Sequence, residues 1–154
     1  MLPFLFELTS SAFTPGSTIP ARYTCTAENR SPPLSWGAGP EGTASFAIVV
    51  DDPDAPGRTW LHWTAWDIRA TTWNLAEGVL AAEPLFTQGT TDFGTVGYGG
   101  PCPPPGTGAH RYFFRLYALD RVLGLARGVS RVELDGAMKG HVLASTELMG
   151  KAWR

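Results

Sequence analysis

Residues Trp60 to Ile68 read WLHWTAWDI, an alternation of side chains that is typical of a β-strand. Successive side chains of a strand point to opposite faces, so the stretch divides into two sets. One predicted face carries Trp60, His62, Thr64 and Trp66. The other carries Leu61, Trp63, Ala65 and Asp67.

Two further segments predict strands on either side of this one in the sequence. Ala44 to Val50 ends in a β-branched run, which Asp51-Asp52-Pro53 stops. Arg111 to Leu119 is rich in aromatic residues and mixes polar with apolar positions, which indicates a strand covered on both faces along part of its length. Phe4 to Leu8 and Arg22 to Thr24 are weaker strand candidates.

The sequence predicts one helix and one closing strand near its end. Ser130 to Glu133 is a capping-box pattern, in which the Ser130 hydroxyl accepts from the Glu133 amide and the Glu133 side chain reaches back to the Ser130 amide. Gly140 lies near the end of this helix, and a last strand is predicted between Val142 and Trp153. The expected fold class is all-β, a single antiparallel domain over residues 1–154 with one or two short helices.

The composition excludes several classes of protein. Hydrophobic residues make up 44% of the 154 residues, which is enough to bury one core. The 12 Lys and Arg against 14 Asp and Glu are too balanced for a chain whose main task is to grip nucleic acid or an anionic membrane. No stretch reaches the roughly 20 apolar residues of a transmembrane helix, and the first residues lack the basic start of a signal peptide. We therefore expect a cytoplasmic protein.

Cys25 and Cys102 are the two cysteines, and they form neither a CxxC metal motif nor a CxxC redox pair. In a reducing cytoplasm, two free thiols are the favoured interpretation. A disulfide stays open at this point, because the sequence does not say whether the two residues meet in space.

Two segments concentrate polar groups beside stiff backbone. The first is Asp51 to Gly57, which leads into His62, and the second is Gly97 to Tyr112, which includes His110. Each histidine stands where a predicted strand begins. We therefore expect both imidazole rings at an end of the sheet, where side chains from different strands converge with loop backbone.

The main chain of the second segment also suits a binding site. Its four prolines at positions 101, 103, 104 and 105 form a stiff wall, and the glycines around them are expected to expose amide N–H groups that attract anions. Imidazoles, free amides and a rigid wall suit a phosphate or carboxylate guest. Asp52 or Asp54 in the same pocket would orient an imidazole or bind an amine.

Structural and chemical alternatives stay open for these residues. An Asp-Pro-Asp turn is often only a capped loop, and a histidine is often only a packed residue, as we expect for His141. Asp52, His62 and His110 would also make a set of two histidines and one carboxylate, such as some metals use. A serine hydrolase is disfavoured because the chain has no Gly-x-Ser-x-Gly motif. We expect neither a metal nor a cofactor.

These segments resemble the phosphatidylethanolamine-binding protein family, also called Raf kinase inhibitor-like proteins, and most closely its bacterial YbhB/YbcL branch. The resemblance spans nearly the whole chain. Its most specific part is the ordered succession of Asp52-Pro53-Asp54-Ala55-Pro56, His62 and Gly108-Ala109-His110-Arg111-Tyr112. Further matches lie at Ile19 to Cys25, Ser31 to Trp36, Phe93-Gly94, Gly100 to Pro104 and Leu148 to Gly150.

The resemblance implies an antiparallel β-sandwich with a small pocket at one end, which binds phosphate-like anions and phospholipid head groups. The implied polar lining is Asp52, His62, His110 and Tyr112. The implied wall and rim are Pro103, Pro104 and Cys102. Asp54 would support the adjoining loop, in which a cis peptide bond before Pro56 is expected.

We therefore expect a binding protein rather than an enzyme, one that takes up a small phosphate-like anion or phospholipid head group and modulates a partner protein. One alternative, carried by the resemblance alone, is an inhibitor or scaffold of a kinase or peptidase that acts through the pocket rim. Another is a hydrolase that uses His62 or His110 with Asp52 for acid–base chemistry. No nucleic acid partner is expected, and the many aromatic residues are compatible with a homodimer.

Overall fold

The computed structural model describes residues 6–154, and a five-stranded sheet forms their centre. In chain order the strands are β1 (Leu34–Ser35), β2 (Ser45–Asp52), β3 (Trp60–Arg69), β4 (Asn74–Leu75), β5 (Thr87–Gln88), β6 (His110–Leu119) and β7 (Val142–Ala152). A 3-10 helix (Ala21–Tyr23) and one α-helix, α1 (Arg131–Met138), accompany them. The large sheet has the order β5-β3-β2-β6-β7, and β1 pairs with β4 separately. All of these pairings are antiparallel.

The first face of the large sheet carries the larger core. Phe46 of β2, Trp63 of β3 and Phe114 of β6 belong to one buried cluster with Leu34 and Leu75, which come from the two-stranded sheet. The small sheet thus forms a second layer over the large one. Burial of these large apolar side chains is the main stabilising contribution of this layer.

The second face of the large sheet is covered by α1. Val49 and Trp66 belong to a second buried cluster with Leu134 and Met138 of the helix. Because β2 lies in the middle of the sheet and is covered on both faces, all eight of its residues are buried. The predicted fold class, an antiparallel β-sandwich with a short helix, is confirmed.

The predicted strict alternation of side chains along β3 is wrong. Opposite β2, Trp63 pairs with Val50 but Leu61 pairs with Asp51, so His62 is an extra residue at this point of the strand. Such a bulge turns neighbouring side chains towards the same face. As a result Trp63 joins the first buried cluster although Leu61 joins the second.

A second irregularity lies near the end of β3. Ala65 pairs with Ile48 and Ile68 with Phe46, which leaves one extra residue in β3 between the two pairs. Asp67 there adopts a positive φ of 57°, a conformation that Asp tolerates better than most residues. Its carboxylate accepts the amide protons of residues 123 and 124, at 2.7 and 2.9 Å.

The weaker strand predictions are not confirmed. Arg22 to Thr24 overlaps the 3-10 helix, because the amides of Tyr23 and Thr24 turn back to the carbonyl oxygens of Pro20 and Ala21. In the segment Phe4 to Leu8, the first two residues lie outside the described residues, and the remaining three are not in a strand.

The predicted helix and closing strand are confirmed. The Ser130 hydroxyl accepts from the Glu133 amide at 3.2 Å, as the capping box requires. The return bond from the Glu133 side chain is not among the hydrogen bonds of the described residues. Gly140, with a φ of 81°, separates α1 from β7.

The expectation of two free thiols is wrong, since Cys25 and Cys102 form a disulfide with their Cα atoms 5.3 Å apart. Two hydrogen bonds bring their segments together: the Cys25 amide donates to the carbonyl oxygen of Pro101, and the Tyr98 hydroxyl donates to that of Tyr23. The expected cis bond before Pro56 is also wrong, because every described peptide bond is trans. No helix within residues 6–154 is long and apolar enough to span a membrane.

Candidate functional site

A cavity of about 250 Å³ lies where β2 ends and where β3 and β6 begin. These three strand termini lie at the same end of the sheet because β3 and β6 both run antiparallel to β2. The cavity is lined by Asp52, Ala55, Pro56, Trp60, His62, Phe93, Cys102, Pro103, Pro104, His110 and Tyr112. A larger groove of about 400 Å³ runs along residues 68–86, but no histidine lines it.

All of the predicted lining residues are thus brought together. Asp54, predicted to support the loop, lies just outside the lining. Two aromatic residues of the cavity, Trp60 and Phe93, were not predicted. Trp60 shares the predicted strand face of His62, which was a usable signal, whereas Phe93 reaches the cavity from a loop, where its one signal was the Phe93-Gly94 match to the family.

Both ring nitrogens of His110 are bonded within the protein. Nδ1 lies 2.8 Å from Oδ2 of Asp52, and Nε2 lies 2.9 Å from the hydroxyl oxygen of Thr107. The Thr107 hydroxyl donates its single proton to the carbonyl oxygen of Pro104, at 2.7 Å, so towards His110 it accepts. Both nitrogens are thus occupied within the protein, so His110 presents no free ring nitrogen to the cavity.

His62 is bonded differently. Its Nδ1 donates to the carbonyl oxygen of Gly99, at 2.7 Å, which places the other nitrogen, Nε2, at the opposite side of the ring. No described residue bonds Nε2, yet this atom is not among the fully enclosed unpartnered atoms. Since the ring is 3% exposed and lines the cavity, Nε2 is reached from the cavity.

Burial lowers the pKa of His62 below its ordinary value of 6.5, and this effect outweighs the bond to Gly99 and the nearby carboxylates of Asp52 and Asp51, which raise it. The ring is therefore neutral at pH 7. With the proton held on Nδ1 by Gly99, Nε2 presents a lone pair, which accepts a hydrogen bond.

Tyr112 stands edge-on to His62, with the ring centroids 5.2 Å apart. The Tyr112 side chain is buried, and its hydroxyl has no hydrogen-bond partner within the described residues. Burial raises the pKa of Tyr112, and the neighbouring Asp52 carboxylate adds to this rise. The phenol keeps its proton throughout the neutral range, and its enclosed oxygen lies beside the Asp52 carboxylate.

Asp54 fixes the loop that closes one side of the cavity. Its carboxylate accepts from the backbone amide, Nε and Nη2 of Arg111, each at 2.9 Å. These bonds lower the pKa of Asp54 to about 2. The Asp54 amide in turn donates to Oδ1 of Asp52, at 2.8 Å, so the loop also positions the buried carboxylate.

The expectation that glycine amides of the second segment stand free is wrong at three positions. The Gly99 amide donates to the carbonyl oxygen of His62, and the Gly106 amide to that of Arg154. The Gly100 amide donates to Oδ1 of Asn29. These amides hold the wall in place instead of facing a guest.

The last residue also braces the wall. Nε of Arg154 donates to the carbonyl oxygen of Pro103, at 2.7 Å. Its guanidinium lies in a neighbouring groove and not in the lining of the cavity. Within residues 6–154, no group of three His, Cys, Asp or Glu side chains is arranged to hold a metal ion.

A family model for phosphatidylethanolamine-binding proteins matches residues 9–153 of the chain. The chain belongs to this family. A UPF0098 protein of Methanothermobacter thermautotrophicus is 49% identical over 147 residues, which cover 94% of this chain and 96% of that protein.

Two solved structures place the chain within the phosphatidylethanolamine-binding protein family. The homologue CT736 of Chlamydia trachomatis superposes with a TM-score of 0.89 at 40% identity, over 97% of each chain. YbcL of Escherichia coli, described as a new member of the mammalian family, also reaches a TM-score of 0.89, at 32% identity over 97% of this chain and 98% of that one. The resemblance to the bacterial YbcL-like branch is thereby confirmed.

Proposed function

We propose that the cavity binds a small phosphate-like anion, such as the head group of a phospholipid, without catalysing a reaction on it. One observation carries this proposal. Nε2 of His62, which is reached from the cavity, lacks a protein partner within the described residues, and so do the enclosed Nε1 of Trp60 and hydroxyl of Tyr112, whose side chains line the same cavity. Buried polar groups are rarely left unpaired, so three of them around one cavity mark a place for a polar guest.

The other polar residues have supporting roles in this proposal. Asp52 holds His110 and accepts from an amine if the guest carries one, as ethanolamine does. His110 has both ring nitrogens occupied, and it reaches the guest directly only where the guest displaces Thr107. The wall of Pro103 and Pro104, with Cys102 beside it, gives the site its shape.

The name of the family supports an anionic head group as the guest. The lining supports binding rather than covalent chemistry. It contains no serine or threonine, and its one cysteine, Cys102, is held in the disulfide. The hydroxyl beside the pair of Asp52 and His110 is that of Thr107, which lies outside the described lining and donates its proton to the carbonyl oxygen of Pro104.

Titration with phosphoethanolamine and with inorganic phosphate tests the proposal, with the imidazole signals of the three histidines followed by NMR. We expect the signals of His62 and His110 to shift. The signals of His141 should not change, because this residue is bonded to Asp120 away from the cavity. Tyr112→Phe removes only the hydroxyl, and we expect it to weaken binding about tenfold. Unchanged cavity signals at millimolar concentrations of both compounds would contradict the proposal.

A further inference from the structure

The permanent positive charges nearest to a guest come from arginines outside the cavity, because its described lining holds no lysine or arginine. Two of these arginines are matched by a carboxylate. Arg58 lies over the ring of Trp60, and its Nη2 is 2.8 Å from Oδ1 of Asp92. Arg111 is bonded to Asp54 through Nε and Nη2, each at 2.9 Å. In both cases the bonded carboxylate offsets the charge that a guest would otherwise feel.

Arg154 is held in a different way. Its Nε donates to the carbonyl oxygen of Pro103 at 2.7 Å, and its guanidinium forms no salt bridge with a carboxylate side chain within residues 6–154. Its main-chain oxygen accepts from the amide of Gly106. A carbonyl oxygen fixes the position of a guanidinium but carries no net charge. The side chain of Arg154 therefore stays in place with its positive charge uncompensated by another side chain.

The charge of Arg154 lies close enough to act on groups inside the cavity. Pro103 borders both the cavity and the neighbouring groove that Arg154 lines. Burial and the carboxylates of Asp52 and Asp54 raise the pKa of Tyr112, and the positive charge of Arg154 opposes this rise. Since Tyr112 lines the cavity, a guest beside it lies in the field of the same guanidinium.

We infer that Arg154 is a specificity-determining residue of the cavity, whose guanidinium, held behind Pro103, favours an anionic guest over an uncharged guest of the same shape. This inference rests on the proposed function and assigns the charge selection of that site to one side chain. The attraction acts across the wall and needs no direct contact with the guest. Because Arg154 is exposed, solvent and salt screen this attraction. A phosphodiester, the anionic part of a phospholipid head group, is a guest of the favoured kind.

Two substitutions separate the charge of Arg154 from its bond to the wall. Arg154→Gln removes the charge but keeps an N–H donor for Pro103, because its amide nitrogen follows the same three side-chain carbons as Nε of arginine. Arg154→Lys keeps the charge but has a methylene group at that position. Arg121→Gln is the matched control. Nε of Arg121 donates in the same way to the carbonyl oxygen of Val122, and the residue lies beyond the opposite end of β6 from His110.

Dimethyl phosphate and trimethyl phosphate make a pair of probes, since the first carries one negative charge in the neutral range and the second carries none. Binding is followed by NMR through the imidazole signals of His62. At about 0.01 M salt we expect Arg154→Gln to bind dimethyl phosphate about threefold to tenfold more weakly than wild type, with no loss for trimethyl phosphate. At about 1 M salt the difference should vanish. Arg154→Lys and Arg121→Gln should bind dimethyl phosphate as wild type does. Phosphoethanolamine, titrated in parallel, should show the pattern of dimethyl phosphate.

The outcomes separate this inference from the proposed function. Equal affinity of Arg154→Gln and wild type for the anionic probes at low salt would overturn the inference while the binding site stands. A loss that Arg154→Lys shares and that persists at high salt would also overturn it, because the residue would then only brace the wall. If dimethyl phosphate, phosphoethanolamine and inorganic phosphate all fail to bind to the wild-type protein, the proposed function fails, and the inference fails with it.

Discussion

Asp51 and Asp52 are consecutive, chemically identical and equally buried, yet the protein surrounds them in opposite ways. Asp51 points to the helix side of the sheet, where Arg115 and Arg131 bond its two oxygens at 3.1 and 2.8 Å. Asp52 points to the cavity side, where it accepts from His110 and from one loop amide.

The two carboxylates differ in the charge of the groups that bond them. A guanidinium keeps its charge at every physiological pH, so two of them hold Asp51 as a permanent anion. The partners of Asp52 are one imidazole and one backbone amide, so no permanent positive charge holds this carboxylate. Two permanent cations therefore hold Asp51 on the helix side, whereas Asp52 lines the cavity and would serve the proposed binding function.

The largest expected effect comes from the disulfide, which ties the wall on the Asp52 side. Replacing Cys25 and Cys102 by serine removes a cross-link between residues 77 positions apart, which should lower the free energy of unfolding by about 4 kcal/mol. Urea denaturation measures this loss. Phosphate affinity should fall as well, because Cys102 lines the cavity. An unchanged urea midpoint for reduced wild-type protein would contradict the prediction.

The second prediction tests the two carboxylates directly. Asp51→Ala should lower the free energy of unfolding by roughly 3 kcal/mol, because it leaves two guanidinium groups that cannot lose their charge. Asp52→Ala should cost less, because it leaves one imidazole and one loop amide without their partner instead of two guanidinium groups, but it should impair anion binding. Thermal denaturation and calorimetric titration of both variants make the comparison. The prediction is wrong if Asp52→Ala lowers the melting temperature more than Asp51→Ala does.

A smaller effect is expected at Asp54, which fixes the loop beside the cavity. The folded-state pKa of Asp54, about 2, is below its ordinary value of 3.8, so the ionised form contributes stability above about pH 4 that is lost as the pH falls towards 2. Asp54→Asn should therefore be less stable than wild type at pH 7, and the difference should vanish near pH 2. Glu147→Gln, which alters an exposed ion pair of Arg115, is the control with little expected loss.

The smallest effect concerns His62. Its folded-state pKa is lowered, so below pH 6.5 the unfolded chain binds a proton that the folded protein excludes. The free energy of unfolding therefore decreases as the pH is lowered. His62→Asn should show a weaker loss of melting temperature between pH 7.5 and pH 5 than wild type. His141→Asn reports the effect of removing a histidine outside the cavity. Identical curves for wild type and His62→Asn would refute the assignment.

Several strands and the start of the helix were predictable from local sequence pattern. The β-branched run before Asp51 and the capping box at Ser130 predict β2 and the start of α1, because each depends only on residues a few positions apart. The positions of His62 and His110 at strand starts predict that they lie at an end of the sheet. Antiparallel pairing then brings both to the same end.

Other features depend on contacts between distant segments. The extra residue at His62 is set by the register against β2, and the disulfide by the pairing of the segments around Tyr23 and Tyr98. The glycine amides were expected to face a guest, and three of them are bonded to other parts of the chain. A composition rich in glycine predicts exposed amide donors but not which acceptors lie beside them.

The sequence by itself determined the residue types of the site, the stiffness of its wall and the strands that carry it, because these follow from local chemistry. Only the tertiary structure decided which of two adjacent aspartates serves the cavity and which nitrogen of His62 faces it. Those choices depend on a bulge, on the Gly99 carbonyl and on two arginines from other elements. A hydrogen bond or an ion pair acts only at contact distance, and contact between remote residues exists only in the folded chain.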